Sequence, residues 1–153
     1  METKVLIAIV LMVASITIAA QDDPWAAWKY STKTSIDGKT TETAIAGTYN
    51  NVSLVVRCSK KCEVYIADGT EIFADQRTVR VKFNKSAVKQ FAVSIGEGSD
   101  SLFFSDPWGI LKAIRDNGGY MTVEYRPYEK TPDTTTFGIW NLPTSILKRI
   151  PAK

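Results

Sequence analysis

The residues of this chain best suited to covalent chemistry are its two cysteines, Cys58 and Cys62. The chain has no histidine. Without histidine, neither a His-based catalytic triad nor a His-containing metal site can be built. The cysteines have the spacing C-x-x-x-C, which differs from the redox-active C-x-x-C motif, and no further cysteine completes a zinc site. We favour a disulfide over the two other interpretations that the spacing leaves open, two reduced thiols in the core and a reactive thiol site.

The residues around the cysteines predict a β-hairpin with a three-residue turn. If Cys58 pairs with Cys62, Arg57 lies opposite Glu63 on one face of the hairpin, beside Tyr65. Directly opposed residues of antiparallel strands have Cα atoms about 4.5–5.5 Å apart, which is within reach of a disulfide. The hairpin therefore predicts an oxidising compartment and an antiparallel sheet together. Its other face is apolar and holds both cysteines with Leu54, Val56, Val64 and Ile66.

Acidic residues offer the remaining route to catalysis. Asp68, Glu71 and Asp75 cluster in one predicted loop, but their spacing does not match a calcium-binding loop, and we interpret them as solvated charges. Glycoside hydrolysis needs two carboxylates placed across a cleft. Because Glu63 and Glu124 lie on the polar sides of predicted strands, a small envelope hydrolase remains a less favoured alternative. We expect a protein that is not an enzyme and needs no cofactor or metal.

Four tryptophans, Trp25, Trp28, Trp108 and Trp140, could stack on sugar rings. All four lie at or near the ends of predicted strands or helices, where aromatic side chains commonly seal a core. Burial is therefore the favoured interpretation. A glycan- or peptidoglycan-binding domain that uses surface aromatics remains the alternative.

The N-terminus has the layout of a secretory signal peptide, residues 1–20. A short charged start precedes the apolar residues 5–20, which end in Ala19 and Ala20 before a polar segment. Since this run is shorter than the roughly 20 apolar residues of a spanning helix, cleavage near Ala20 is favoured over an uncleaved anchor. Residues 21–153 are then predicted to form a single β-rich domain that is periplasmic or secreted and not stably inserted in a membrane.

Charge gives no sign of a nucleic-acid partner. The net charge is +3, and lysines and acids are interspersed, with Lys60-Lys61 and Lys148-Arg149 as the longest basic runs. A nucleic-acid interface needs a clustered positive stripe. We therefore expect a mixed, solvated surface and no binding of nucleic acid.

Alternating apolar and polar residues predict strands along most of the chain. Each predicted strand has one apolar face, which is typical of antiparallel sheets stacked over one core. Asp37-Gly38 lies between two such runs and predicts a type I′ hairpin that places Tyr30 opposite Ile45.

Two helices are predicted among these strands. The first begins at Pro107 after a cap at Ser105 or Asp106, and the second spans about residues 143–150. The predicted fold class is mainly β (α+β), an antiparallel β-sandwich with one central helix and a short C-terminal helix.

Several motifs occur in a familiar order. Residues 54–58 lead into residues 63–66, and a helix from Pro107 precedes the strand 121–126. A loop over residues 127–132 then leads to Thr-Thr-Phe at 135–137 and a C-terminal helix. In this order, and over roughly residues 50 to 150, the chain resembles the VasI-type (TagO-type) accessory proteins associated with bacterial type VI secretion.

The resemblance implies an exported, mainly β accessory or binding protein without catalytic activity, whose partner is an envelope or secretion-system protein. In that family the strand cysteine usually pairs with one near the C-terminus. This chain has no cysteine there and offers Cys62 instead.

A candidate binding surface follows from the side chains that project from the predicted strands away from the core. The alternative is that these side chains only form cross-strand ion pairs on a wet sheet face. The candidates are Arg57, Glu63, Tyr65, Glu124 and Arg126.

Overall fold

Nine β-strands and two helices are formed by the residues that the computed structural model describes, 27–47, 51–69 and 72–152. The predicted signal peptide and Trp25 lie outside these residues. The strands are β1 (Trp28–Thr34), β2 (Thr40–Gly47), β3 (Val52–Cys58), β4 (Cys62–Asp68), β5 (Thr78–Phe83), β6 (Lys89–Ile95), β7 (Ser101–Phe104), β8 (Tyr120–Tyr125) and β9 (Asp133–Gly138), and the helices are α1 (Pro107–Asn117) and α2 (Thr144–Leu147).

The strands form one antiparallel sheet in the order β1-β2-β3-β4-β7-β6-β5-β8-β9. Strand β9 lies against β2 and β3, so the sheet folds over and its two ends enclose the core. The prediction of a mainly β, antiparallel fold with one central helix and a short terminal helix is confirmed. Its two layers are parts of one continuous sheet.

One side of each strand faces the core, as the alternation of apolar and polar residues predicts. Helix α1 packs against β4 and buries Ile110, Leu111 and Ile114. The helix begins after Asp106, whose carboxylate accepts a hydrogen bond from the Gly109 N–H at 3.0 Å. On the strands of the opposite layer the buried residues include Val79, Val81, Phe83, Met121, Val123, Tyr125 and Phe137.

The cysteine hairpin has the register expected from the sequence. Cys58 faces Cys62, and Arg57 faces Glu63. A disulfide joins the two cysteines, whose Cα atoms are 4.1 Å apart, and both are buried. The apolar side of this hairpin therefore faces the core and its polar side faces solvent.

The first hairpin differs from its prediction by one residue. Tyr30 lies opposite Ala44, and Ile45 lies opposite Lys29. Gly38 has φ +80°, while Asp37 has no positive φ, so the turn is not type I′. Instead, Ser35 pairs with Lys39 across a three-residue loop, residues 36–38, in which the Gly38 N–H donates to the Ser35 carbonyl at 2.9 Å. This loop has one residue more than the predicted two-residue turn, and the extra residue shifts the register.

Strand β7 was not expected from the sequence, because four residues are too few to show a clear alternation. It lies between β4 and β6 and buries Leu102 and Phe104. Because β7 pairs with β4, Phe103 lies beside Tyr65, and both are on the side of the sheet that faces away from the core.

The left-handed conformation of Gly38 gives a stability test. We expect Gly38→Ala to lower the free energy of unfolding by about 1 kcal/mol, because an L side chain is strained at φ +80°. Gly47→Ala is the matched control, since its φ is not positive and no atom lies within 4 Å of the added Cβ. It should change stability by less than about 0.5 kcal/mol in urea titrations. Equal effects of the two substitutions would contradict the described turn.

Candidate functional site

An ordered row of side chains crosses the outer face, which we define as the solvent side of β1, β2, β3, β4 and β7 that carries Lys33, Thr43, Arg57, Tyr65 and Phe103. Arg57 Nε and Nη2 donate to one carboxylate oxygen of Glu63 at 3.0 and 2.5 Å. This hydrogen bond raises the pKa of Arg57, which therefore stays charged.

Tyr65 continues this row. The guanidinium carbon of Arg57 lies 5.5 Å from the centre of the Tyr65 ring. The Phe103 ring stacks on Tyr65 from β7, with centroids 4.7 Å apart and an interplanar angle of 30°. Since β3 and β7 flank β4 on opposite sides, both faces of the Tyr65 ring are covered. Its edge and its hydroxyl remain available to a ligand.

Gly96 closes the far end of the row. A Cβ added at Gly96 would lie 2.8 Å from the Phe103 ring and closer still to the Ser101 hydroxyl. Only glycine allows this close approach of backbone to ring. The row runs from Glu63 through Arg57 and Tyr65 to Phe103. The ion pair with Glu63 fixes Arg57 at one end, and the backbone at Gly96 packs against Phe103 at the other.

Two shallow hollows lie on the outer face, and Arg57 lines both. The first, about 460 Å³, has small residues in the sheet beside the aromatic row. The second, about 570 Å³, lies toward the cysteine turn and combines cations with hydroxyl groups. The first is lined by Asn51, Ser53, Arg57, Tyr65, Ala67, Asp68, Gly69, Asp100, Ser101 and Phe103, and the second by Lys33, Thr41, Thr43, Arg57, Ser59, Lys61 and Glu63.

The five candidate residues from the sequence fall into two separate groups. Arg57, Glu63 and Tyr65 lie together, whereas Glu124 is on β8 and pairs with Arg80 of β5 at 3.1 Å. Arg126 directly follows β8 and is exposed. Three strands lie between β4 and β8, which separates the groups by about 19 Å along the sheet at the usual strand spacing. The candidates therefore do not form one contiguous surface.

A polar cluster around one buried carboxylate was not recognised in the sequence. Glu42, which is 6% exposed, accepts hydrogen bonds from the Tyr30 hydroxyl at 2.7 Å and from Arg149 Nε at 2.8 Å. The Tyr30 hydroxyl also lies 3.0 Å from the Ser145 hydroxyl. Arg149 Nη1 donates to the Ser59 carbonyl in the cysteine turn at 2.7 Å. The cluster therefore fastens the C-terminal segment to β1, β2 and that turn.

Opposing effects act on the ionisation of Glu42. Burial raises the pKa of this carboxyl, but hydrogen bonds from Ser145, Tyr30 and Arg149 favour its charged form and leave the pKa lowered. One signal could have identified the residue, because Glu42 is a charged side chain at an inward-facing position of its strand. The Glu42 carboxylate already accepts hydrogen bonds from Tyr30 and Arg149. Glycoside hydrolysis needs a second acid, and the cluster of Glu42, Tyr30, Ser145 and Arg149 contains none.

The described tryptophans lie in three different parts of the fold. Trp28 is 2% exposed in the core. Trp108 lies on α1, and Trp140 packs edge-on against Tyr120 with centroids 5.5 Å apart. Among residues 27–47, 51–69 and 72–152, no three His, Cys, Asp or Glu side chains are grouped closely enough to hold a metal ion.

Comparisons with protein-family models, curated proteins and solved structures gave no match. A functional interpretation therefore depends on the geometry of the site and on the resemblance given by the sequence motifs. Neither of the helices in the described residues is long and apolar enough to cross a bilayer.

The lowered pKa of Glu42 makes stability depend on pH. The unfolded carboxyl titrates near 4.5, so the contribution of Glu42 is present above that pH and is lost as pH falls through the lower folded value. We expect Glu42→Gln to cost about 2 kcal/mol of unfolding free energy at neutral pH, because hydrogen bonds to a charged group are lost. The difference from wild type should shrink well below pH 4.5.

Glu124→Gln is the control for this measurement, because it removes a carboxylate from an exposed ion pair. It should cost less than about 1 kcal/mol at neutral pH in the same denaturant titrations. A cost for Glu42→Gln that is independent of pH would show that its charge does not stabilise the fold.

Proposed function

We propose that the protein is an exported, non-catalytic binding module that recognises an envelope protein or a secretion-system component through its outer face. The resemblance to VasI-type accessory proteins points to this role. The observation that carries the proposal is the row of Arg57, Tyr65 and Phe103 on an open sheet face.

The residue types of this row favour a protein partner. Arginine and aromatic residues are enriched in protein interfaces and contribute most of the residues that dominate binding energy. Because Glu63 and Tyr65 already fix the guanidinium of Arg57, less side-chain freedom is lost when a partner binds. The hydroxyl of Tyr65 adds a polar group at the edge of an apolar ring.

The two alternatives have less support. A sugar ring would stack on an open aromatic face, but both faces of Tyr65 are covered, and the described tryptophans lie on β1, on α1 and in the segment after β9. A hydrolase would need two acids across a cleft. Glu63 and Glu124 instead belong to separate ion pairs on different parts of the sheet.

A crosslinking experiment in the organism that makes the protein tests the proposed face. We expect a photo-crosslinking amino acid at Ser53, on the outer face, to give a discrete protein adduct. The same group at Thr136, which is exposed on β9, should give none. Arg57→Ala should reduce the Ser53 adduct at least about tenfold, as expected for an interface residue worth more than 1.4 kcal/mol.

Arg126→Ala is the matched control, because it removes an exposed arginine outside the outer face. It should leave the Ser53 adduct unchanged. Both arginine variants should keep the wild-type melting temperature, since exposed charges contribute little to stability. Equal adducts at Ser53 and Thr136, or loss of folding in Arg57→Ala, would argue against this binding face.

Export is tested separately by intact-mass measurement. We expect the mature protein to begin near residue 21 and to accept two alkyl groups only after reduction, because Cys58 and Cys62 are bonded to each other. Protein that stays inside the cell with residues 1–20 intact would refute the export part of the proposal, whatever the crosslinking shows.

A further inference from the structure

Two turns and the C-terminal segment meet at one end of the outer face. The pairing of Glu42 with Cys58 places the β1–β2 loop, residues 35–39, beside the β3–β4 turn, residues 59–61. Arg149 reaches the same place, because its guanidinium binds the Ser59 carbonyl. We call these residues, with Lys33 and Lys148, the turn end.

The turn end carries an excess of positive charge. The carboxylates in and beside it are matched, since Asp37 pairs with Lys39, Glu42 with Arg149 and Glu63 with Arg57. Lys33, Lys60, Lys61 and Lys148 are exposed, and no acid in the described part of the chain forms an ion pair with them. These four lysines therefore leave the turn end positively charged.

An apolar side chain projects from the same end. Ile36, at the tip of the β1–β2 loop, is 96% exposed, by far the most of the large hydrophobic residues in the described part of the chain. The loop is shaped by Gly38 and by a hydrogen bond from the Ser35 hydroxyl to Asp37. A fully hydrated isoleucine is unfavourable in water and is stabilised when it enters an apolar phase.

The larger hollow of the outer face provides donors for an oxyanion next to this tip. Lys33 and Lys61 line it with the hydroxyls of Thr41, Thr43 and Ser59. The Glu63 carboxylate lines it too, but it is neutralised by Arg57. Charged donors and hydroxyls together bind phosphate oxygens well. The disulfide and Arg149 hold the turn that carries Ser59 and Lys61, so part of the hollow is fixed before any ligand arrives.

We propose that the turn end binds the surface of a membrane that contains anionic phospholipids. Lysines at the level of the lipid phosphates and an apolar side chain below them are the two elements of interfacial binding. The hollow accepts a lipid phosphate while Ile36 enters the boundary of the acyl chains. A soluble phosphate or a nucleic acid would use the lysines but would leave Ile36 in water, which is why a membrane surface is favoured.

Sedimentation with vesicles tests this binding on the purified protein. We expect it to sediment with vesicles of phosphatidylcholine mixed with phosphatidylglycerol, not with phosphatidylcholine alone, and less in high salt. Lys60→Ala with Lys61→Ala should lower the partition coefficient about 30-fold, from roughly 1 kcal/mol per lysine near an anionic surface. Ile36→Ser should lower it about tenfold, and Ile36→Trp should raise it.

Arg77→Ala with Arg126→Ala is the charge-matched control, since both arginines are exposed near the paired ends of β5 and β8. This pair should change the partition coefficient by no more than about twofold. Equal loss in the two pairs, equal sedimentation with both vesicle types, or no effect of either Ile36 variant would overturn the proposal. Stronger binding to duplex DNA than to the anionic vesicles would overturn it too. Lipid binding needs no protein partner, so the vesicle and crosslinking experiments can fail independently.

Discussion

The covalent pairing of Cys58 with Cys62 fixes the register of the two strands on which the outer face is built. Side chains alternate along a strand, so a slip of one residue would move each of them to the other side of the sheet. With this register, Leu54 and Val64 enter the core while Arg57 and Tyr65 face solvent. Strands β2 and β7 pair with this hairpin on either side and extend the same division of faces. The core and the proposed binding surface therefore depend on one constraint.

A second set of contacts, the polar cluster around Glu42, supports the cysteine turn of this hairpin. Burial of a carboxylate is costly unless hydrogen bonds satisfy it. Glu42 is satisfied by Tyr30 and by Arg149, which is distant in the chain and also binds the cysteine turn. The C-terminal segment is thereby held against the first two strands. The turn is supported both by its disulfide and by the polar cluster around Glu42.

The sequence predicted best those features that depend on neighbouring residues. The cysteine hairpin and the buried stripe of α1 were correct, because alternation, helical spacing and capping are local. The first hairpin was wrong by one residue, since Asp-Gly suits both a two-residue turn and a longer loop that ends in glycine. The Glu42–Arg149 contact joins residues 107 positions apart, and no local pattern reports it. For the same reason, the five candidate residues were predicted as one surface but lie in two separate groups. A strand pattern shows that Glu124 faces solvent, but it does not show its distance from Arg57.

Sheet order also has a consequence for how the chain is assembled. Strands β1 to β4 are successive neighbours, whereas β7 inserts between β4 and β6 only after residue 104 has been made. The cysteine hairpin is complete much earlier. Its thiols are four residues apart and need no later segment to meet. Oxidation can therefore precede the pairing of the later strands, and the bridge cannot trap the chain in a false topology, because the chain has no other cysteine.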